Sequence, residues 1–253
     1  MKIFPLVLVL LLGIVAAVAQ QQNTPLMQKG RQVLFDFRKD HNSNGSKITD
    51  ATQRMVLSKV FRKYLTDGNK CSHPVDASGD DYLAAARRAG QIVPTLGEVV
   101  TGSFTAPGQT QTLYIIDVSE CNASHADNFG TKRVAIFAGQ QLVANVDADF
   151  ARNVIKKVDL NSDGVDELLM TTGDMAQGTL TEMASLVSFQ NGRRKVIQDF
   201  GSVVLDSCAS GFPHSTSEAS VIYVSDGKIT QENYSSGCTK RKRWRLVSRG
   251  KKE

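Results

Sequence analysis

The sequence predicts an α+β fold, in which a small N-terminal helical segment precedes an antiparallel all-β domain. Two observations carry this prediction. Before Pro94, apolar residues recur every three to four positions, which is the period of an amphipathic helix. After Pro94, short β-type runs are separated by turn dipeptides such as Asn191-Gly192 and Asp226-Gly227, which is typical of antiparallel sheets. The chain has 253 residues, 41% of them hydrophobic, and this is enough for a sizeable core in one or two domains.

The first element is a secretory signal peptide, predicted over residues 1–19. Lys2 precedes an uncharged apolar run from Ile3 to Val18, and the small residues Ala17-Val18-Ala19 favour cleavage after Ala19. The alternative is an uncleaved membrane anchor, for which about 17 apolar residues are marginal. No later segment is apolar enough to span a bilayer. We therefore expect a secreted or periplasmic protein without a mature transmembrane segment.

Residues 20–92 are predicted to form the helical N-terminal region. Three helices are expected, over residues 26–38, 50–65 and 81–89. The first would place Val33, Leu34 and Phe37 on one face, and Asp50 with Gln53 is a plausible capping box for the second.

Residues 93–248 are predicted to form the β-domain, followed by a basic tail at 249–253. The expected strands cover residues 99–104, 112–118, 134–137, 142–146, 154–160, 168–172, 186–189, 196–200, 220–225, 228–234 and 243–247. So many short runs separated by turn signals favour a sandwich of antiparallel strands.

Four cysteines remain in the exported chain, and an even number there predicts two disulfides with three possible connectivities. Cys208 precedes and Cys238 follows the hairpin predicted from 220–225 and 228–234, which would put both sulfurs at its open end. We favour Cys208 with Cys238, which leaves Cys71 with Cys121.

The stretch from Asp159 to Glu167 has the spacing of a calcium-binding loop. Side chains that carry oxygen stand at positions one, three, five and nine, as Asp159, Asn161, Asp163 and Glu167, and Gly164 at position six allows a tight turn. An EF-hand would require flanking helices and a glutamate at position twelve, but the flanks resemble strands. The pattern therefore predicts a strand-loop-strand site.

These residues resemble one FG-GAP repeat of the integrin-type β-propellers, in which such a loop joins two strands of a blade. The resemblance covers residues 154–189 and implies a Ca²⁺ site in which Val165 adds its backbone carbonyl to the four side-chain ligands. It also implies a blade-like sheet as the alternative to a sandwich. The chain departs from the family because it lacks Phe-Gly before the loop, has Thr172-Gly173-Asp174 in place of Gly-Ala-Pro, and contains one copy only. The likeness extends loosely to exported bacterial proteins of unknown function.

The loop has a metal-free alternative, since Asp, Asn and Gly also form turns held by Asx hydrogen bonds. Three acids and an asparagine at ligand positions favour metal, because carboxylates gathered without a cation repel one another. Calcium is preferred to magnesium because flexible all-oxygen coordination suits the larger ion.

Catalytic signals are thin. The densest cluster contains Ser124, His125 and Asp127, which are the weak candidates for a secreted hydrolase centred on His125 and Asp127. No other motif gathers a nucleophile, a base and an orienting group. The leading interpretation is a non-enzymatic, exported binding or surface module stabilised by Ca²⁺. Whether the protein is an enzyme stays open, and we lean towards no.

The C-terminal run from Lys240 to Arg245, continuing to Arg249, Lys251 and Lys252, holds much of the positive charge, and the formal net charge of the whole chain is +5. Such a run with Trp244 can bind nucleic acid, but the same residues on an edge strand discourage aggregation while the tryptophan packs on the sheet. Export also argues against nucleic acid. The partner is unknown, and an extracellular or envelope protein or polymer fits the location.

Overall fold

The computed structural model describes residues 30–41, 48–62, 64, 92–120, 131–148, 151–225 and 227–251. Within them the chain forms twelve β-strands and one α-helix. Eight strands form a sheet that curls into a half-barrel, and four form a second sheet. All strand pairs are antiparallel, which confirms the predicted class of sheet. The predicted signal peptide at 1–19 and the helix at 81–89 lie outside the described residues.

The four-stranded sheet runs in the order β2-β3-β4-β5. Its strands are β2 (Ile92–Gly102), β3 (Gln111–Glu120), β4 (Thr131–Ala138) and β5 (Gln141–Asp147). Side chains alternate between the two faces of a strand, and in this sheet both faces are buried. On β3, Leu113 and Ile115 enter one core cluster, whereas Tyr114 and Ile116 enter another.

The larger sheet runs in the order β12-β11-β10-β9-β8-β7-β6. The eighth strand, β1, pairs only with β10 and stands outside this order. Its strands are β1 (Gln32–Asp36), β6 (Asn153–Val158), β7 (Glu167–Ala176), β8 (Thr179–Ser188), β9 (Lys195–Asp206), β10 (Thr216–Ser225), β11 (Lys228–Gly237) and β12 (Arg245–Arg249).

The main core lies between the two sheets. The four-stranded sheet contributes Leu113 and Ile136, and the larger sheet contributes Leu168, Met170 and Val187. These side chains are essentially inaccessible to solvent. Because β7 supplies this core directly after the 159–167 loop, the loop stands at the junction of the sheets.

Helix α1 (Asp50–Val60) covers the outer face of the four-stranded sheet. Its Val56 and Leu57 are buried there beside Phe137. The predicted helix is thus confirmed, with two corrections to its ends. Thr49 rather than Asp50 caps it, by accepting the N–H of Thr52 at 3.2 Å, and the chain becomes extended at residue 61, before the predicted end at 65.

The predicted helix over residues 26–38 is wrong where the structure describes it. Residues 32–36 form strand β1, which pairs with β10 from Val221 to Val224. The reason is tertiary, because β9 pairs with β10 only at Ser217–Ala219 and leaves the next part of that edge open. Strand β1 satisfies those backbone groups and buries Leu34. The assignment of 20–92 as a helical region therefore fails for this segment.

The Cys208–Cys238 disulfide is present, which confirms the favoured pairing. Its two residues bracket the β10–β11 hairpin, as the positions in the sequence predicted. Cys71 and Cys121 lie outside the described residues. Strand β12 lies at the edge of the larger sheet, but it begins at Arg245, so the basic residues from Lys240 to Arg243 precede it. Trp244, next to the strand, packs against the core of the larger sheet. In the described part of the chain, no helix is long and apolar enough to cross a membrane.

Candidate metal site

The 159–167 loop joins two neighbouring antiparallel strands. Strands β6 and β7 pair with each other, and the last residue of β6, Val158, stands opposite the first residue of β7, Glu167. The strand-loop-strand interpretation of this segment is therefore confirmed, and an EF-hand is excluded here because neither flank is helical.

The backbone of the loop coils around its own carboxylates. Asp159 accepts two N–H groups, from Asp163 at 3.1 Å and from Gly164 at 3.0 Å. The Asp163 N–H is also 3.0 Å from Oδ1 of Asn161, and Asp163 in turn accepts the N–H of Val165 at 2.8 Å. These are Asx-type bonds, in which a short side chain mimics a turn of backbone. They bring the predicted ligands of positions one, three and five to the inside of one turn.

Gly164 is required by the backbone. Its φ is 80°, a left-handed conformation that side chains rarely adopt. A Cβ there would also lie 3.1 Å from Cβ of Pro107 in the connection between β2 and β3. The loop therefore packs against the connection between β2 and β3, and it also joins β6 to β7.

Glu167 is one of two buried carboxylates in the loop, with 3% of the residue exposed, and Asp166 is the other at 4%. Oε2 of Glu167 accepts the N–H of Leu160 at 2.8 Å. Burial is the largest cause that raises the pKa of Glu167 to about 7, and the charges of Asp163 and Asp159 add to it, whereas the Leu160 N–H lowers it. An ionised Glu167 is therefore costly in this site unless a cation compensates it.

Asp166 is a structural residue that the sequence did not single out. Its carboxylate accepts the N–H of Ser103 at 2.7 Å, and its own N–H donates to the Ser103 carbonyl at 2.6 Å. Lys157 approaches the same carboxylate at 3.8 Å. A Cβ on Gly102 would come within 2.5 Å of it, so only glycine leaves the room it needs. Asp166 holds the loop against the end of β2, which fixes the loop to both sheets.

The donor set suits Ca²⁺ in kind, since it comprises three carboxylates and one amide oxygen. An ionised carboxylate has about four lone-pair positions, so those that accept N–H groups retain positions for a metal. The amides of Asn161 and Gln190 donate to Oδ2 of Asp163 at 3.1 and 3.3 Å, in the place where a cation would compete. Among the described residues, no group of three or more His, Cys, Asp and Glu side chains is placed so that it could hold a metal ion.

The hydrolase candidates Ser124, His125 and Asp127 lie outside the described residues. Another histidine, His41, makes several contacts in the fold. Its Nε2 lies 3.0 Å from the Glu182 carboxylate, and its ring meets Phe35 and Phe37 edge-on at 5.3 Å between centroids. This pair joins the N-terminal segment to β8, and the two partners are 141 positions apart in the chain.

Comparison of the chain with models of protein families, with curated proteins and with solved structures finds no match in any of the three. The likeness of the 159–167 loop to an FG-GAP repeat therefore stays a prediction that rests on the loop's residues.

Proposed function

We propose that this protein is an exported, non-enzymatic binding or surface module whose half-barrel sheet is stabilised by Ca²⁺ in the 159–167 loop. The observation that carries the proposal is the buried carboxylate of Glu167, which closes a turn lined by Asp159, Asn161 and Asp163.

The residues that would hold the ion are Asp159, Asn161, Asp163 and Glu167 through their side chains, and Val165 through its carbonyl. When bound, Ca²⁺ supplies positive charge to carboxylates that otherwise repel one another. Glu167 would then remain ionised in its buried position, and Asp163 would exchange the amides of Asn161 and Gln190 for the metal. The protein's contribution is to keep the turn coiled through the N–H groups that Asp159 and Asn161 accept.

The position of the loop supports a structural role for the ion. Asp166 ties it to Ser103 at the end of β2, and β7 continues from it into the core between the sheets. Outside the cytoplasm, a calcium site with a Kd on the order of 10⁻⁴ M would be filled. The predicted export and the predicted metal therefore support one another.

Thermal unfolding of the purified mature protein tests the proposal. The midpoint should rise when EDTA is replaced by Ca²⁺, and Mg²⁺ at the same concentration should raise it less, because it demands a stricter geometry. Calorimetry should give calcium binding at about one ion per chain. An unchanged midpoint together with no heat of binding would refute the calcium part of the proposal.

A further inference from the structure

The larger sheet opens into a cleft at one end. Strand β9 pairs with β10 only at Ser217–Ala219, and β1 takes the place of β9 along Val221–Val224. A cleft of about 540 Å³ lies between the first half of β9 and the β11–β12 pair. This volume is within the range of small-molecule sites, which is about 300 to 1,000 Å³.

The walls of the cleft differ in character. Ile229 of β11 gives it an apolar side, backed by Phe200 of β9, which is 1% exposed and belongs to the core of the larger sheet. Arg31, Arg249 and Lys251 place three cations around it, while Glu232 is the only carboxylate among its lining residues. Lys251 is paired with Asp199 at 2.6 Å. The three cations and the two carboxylates, Glu232 and Asp199, together leave one net positive charge at the cleft.

Glu232 holds the two arginines in place. It is 5% exposed, and its Oε1 lies 2.8 Å from Nη2 of Arg31 and 3.1 Å from Nε of Arg249. Its Oε2 accepts the Tyr234 hydroxyl at 2.7 Å, and the Arg31 guanidinium stacks 3.5 Å above the Tyr223 ring. A buried carboxylate with partners on both oxygens fixes the guanidinium groups before any ligand arrives.

A guanidinium carries five N–H donors, and the closest contacts with Glu232 are made by Nη2 of Arg31 and by Nε of Arg249. The planar group also suits two-point recognition of a carboxylate or a related oxyanion. Arg31 and Arg249 come from opposite ends of the chain and meet at this carboxylate only through the fold.

We propose that this cleft binds a small amphipathic organic anion, with its anionic end on Arg31 and Arg249 and its apolar part on Ile229. This ligand class deepens the binding module proposed above and rests on it. The cleft shares no residue with the 159–167 loop. A failed calcium test and a failed ligand test can therefore be told apart.

Fluorescence of 8-anilinonaphthalene-1-sulfonate, an aromatic anion that brightens in apolar clefts, tests the proposal on the folded full chain. Wild type should bind it, decanoate should displace it, and decanol should displace it poorly because it lacks the charge. The measurement is made in EDTA and again with Ca²⁺, and the cleft should bind the probe in both conditions.

Gln198 offers a pair of variants that leave the arginine pairs intact, since it is exposed and lines the cleft from β9. Gln198→Glu should weaken binding roughly three- to eightfold, and Gln198→Lys should keep or strengthen it, as expected for a unit charge about 7 Å from the anion. Gln141→Glu, at an exposed position on β5, is the matched control and should bind like wild type.

Three outcomes would overturn the proposal. The first is no detectable binding up to about 1 mM probe. The second is equal displacement by decanol and decanoate, which would mean that the anion is not recognised. The third is an equal effect of Gln198→Glu and Gln141→Glu, which would mean that only the net charge matters. Circular dichroism and a melt of each variant exclude misfolding as the cause.

Discussion

Replacing Glu167 with glutamine separates the cost of its buried charge from the benefit of a bound cation. Glutamine keeps the shape of the side chain, and its oxygen can still accept the Leu160 N–H that Glu167 accepts at 2.8 Å. Burial raises the pKa of Glu167 from 4.5 to about 7. Ionisation in the folded state therefore costs on the order of 1 to 3 kcal/mol.

The sign of the pH dependence follows from the same shift. Between pH 4.5 and about 7 the folded protein holds a proton on Glu167 that the unfolded chain has lost. Stability without calcium should therefore fall as pH rises through this window and level off above it. At about pH 8 in EDTA, the Glu167→Gln variant should be the more stable protein, by roughly 1 to 3 kcal/mol.

Calcium should change the stability of the wild type relative to that of Glu167→Gln. A site with a Kd of about 10⁻⁵ to 10⁻⁴ M stabilises the wild type by about 1.4 to 2.7 kcal/mol at about 1 mM Ca²⁺. That corresponds to roughly 3 to 10 °C in the midpoint of thermal unfolding. The variant lacks the charged ligand at position nine, so its gain should stay below about 0.5 kcal/mol.

Urea unfolding of the wild type and of Glu167→Gln, each in EDTA and in Ca²⁺, measures the four free energies of unfolding. Asp174→Asn is the matched control, because Asp174 is an exposed acid on the same strand and lies outside the loop. This control should gain as much from calcium as the wild type. An equal gain by Glu167→Gln, or a lower stability of this variant than of the wild type in EDTA, would refute the role assigned to Glu167.

Two further predictions concern the contacts that hold the sheets and the cleft. Asp166→Asn weakens the charge-assisted hydrogen bond from the Ser103 N–H, which is 2.7 Å long. In urea unfolding the variant should be less stable by about 1 to 3 kcal/mol, with or without calcium. A change below about 0.5 kcal/mol would contradict the role of Asp166. The hydroxyl of Tyr234, followed by Arg31, lowers the pKa of Glu232 from 4.5 to about 2, so its stabilisation is complete above pH 4.5 and is lost as pH falls through about 2. Between about pH 2 and pH 4.5, the free energy of unfolding should therefore rise with pH more steeply in wild type than in Glu232→Gln. Equal slopes would count against the contacts of Glu232 with Tyr234 and Arg31.

Most strands were predictable because their information is local. On β3, the neighbouring residues Leu113 and Tyr114 face opposite cores. Turns such as Asn191-Gly192 separate one strand from the next. The disulfide was predictable for a related reason, since the hairpin brings Cys208 and Cys238 together. Each of these inferences needed only residues that are close in sequence or joined by one hairpin.

The order of the oxygen-bearing residues in the 159–167 loop was also visible locally, but the burial of Glu167 was not. It follows from the packing of the two sheets around the loop. Asp166 escaped notice because its partner, Ser103, is 63 positions away. No spacing rule connects the residue before Glu167 to the end of a strand in the other sheet.

The sequence alone determined the alternation of the strands, the turns between them, the hairpin disulfide and the oxygen-rich loop, because each is a property of neighbouring residues. Only the tertiary structure decided that residues 32–36 form a strand, since the edge of β10 that β9 leaves open lies far along the chain. It also decided that Arg31 and Arg249 meet at Glu232 beside an apolar wall. Hydrogen bonding and burial at those places depend on groups that become neighbours only when the sheets close.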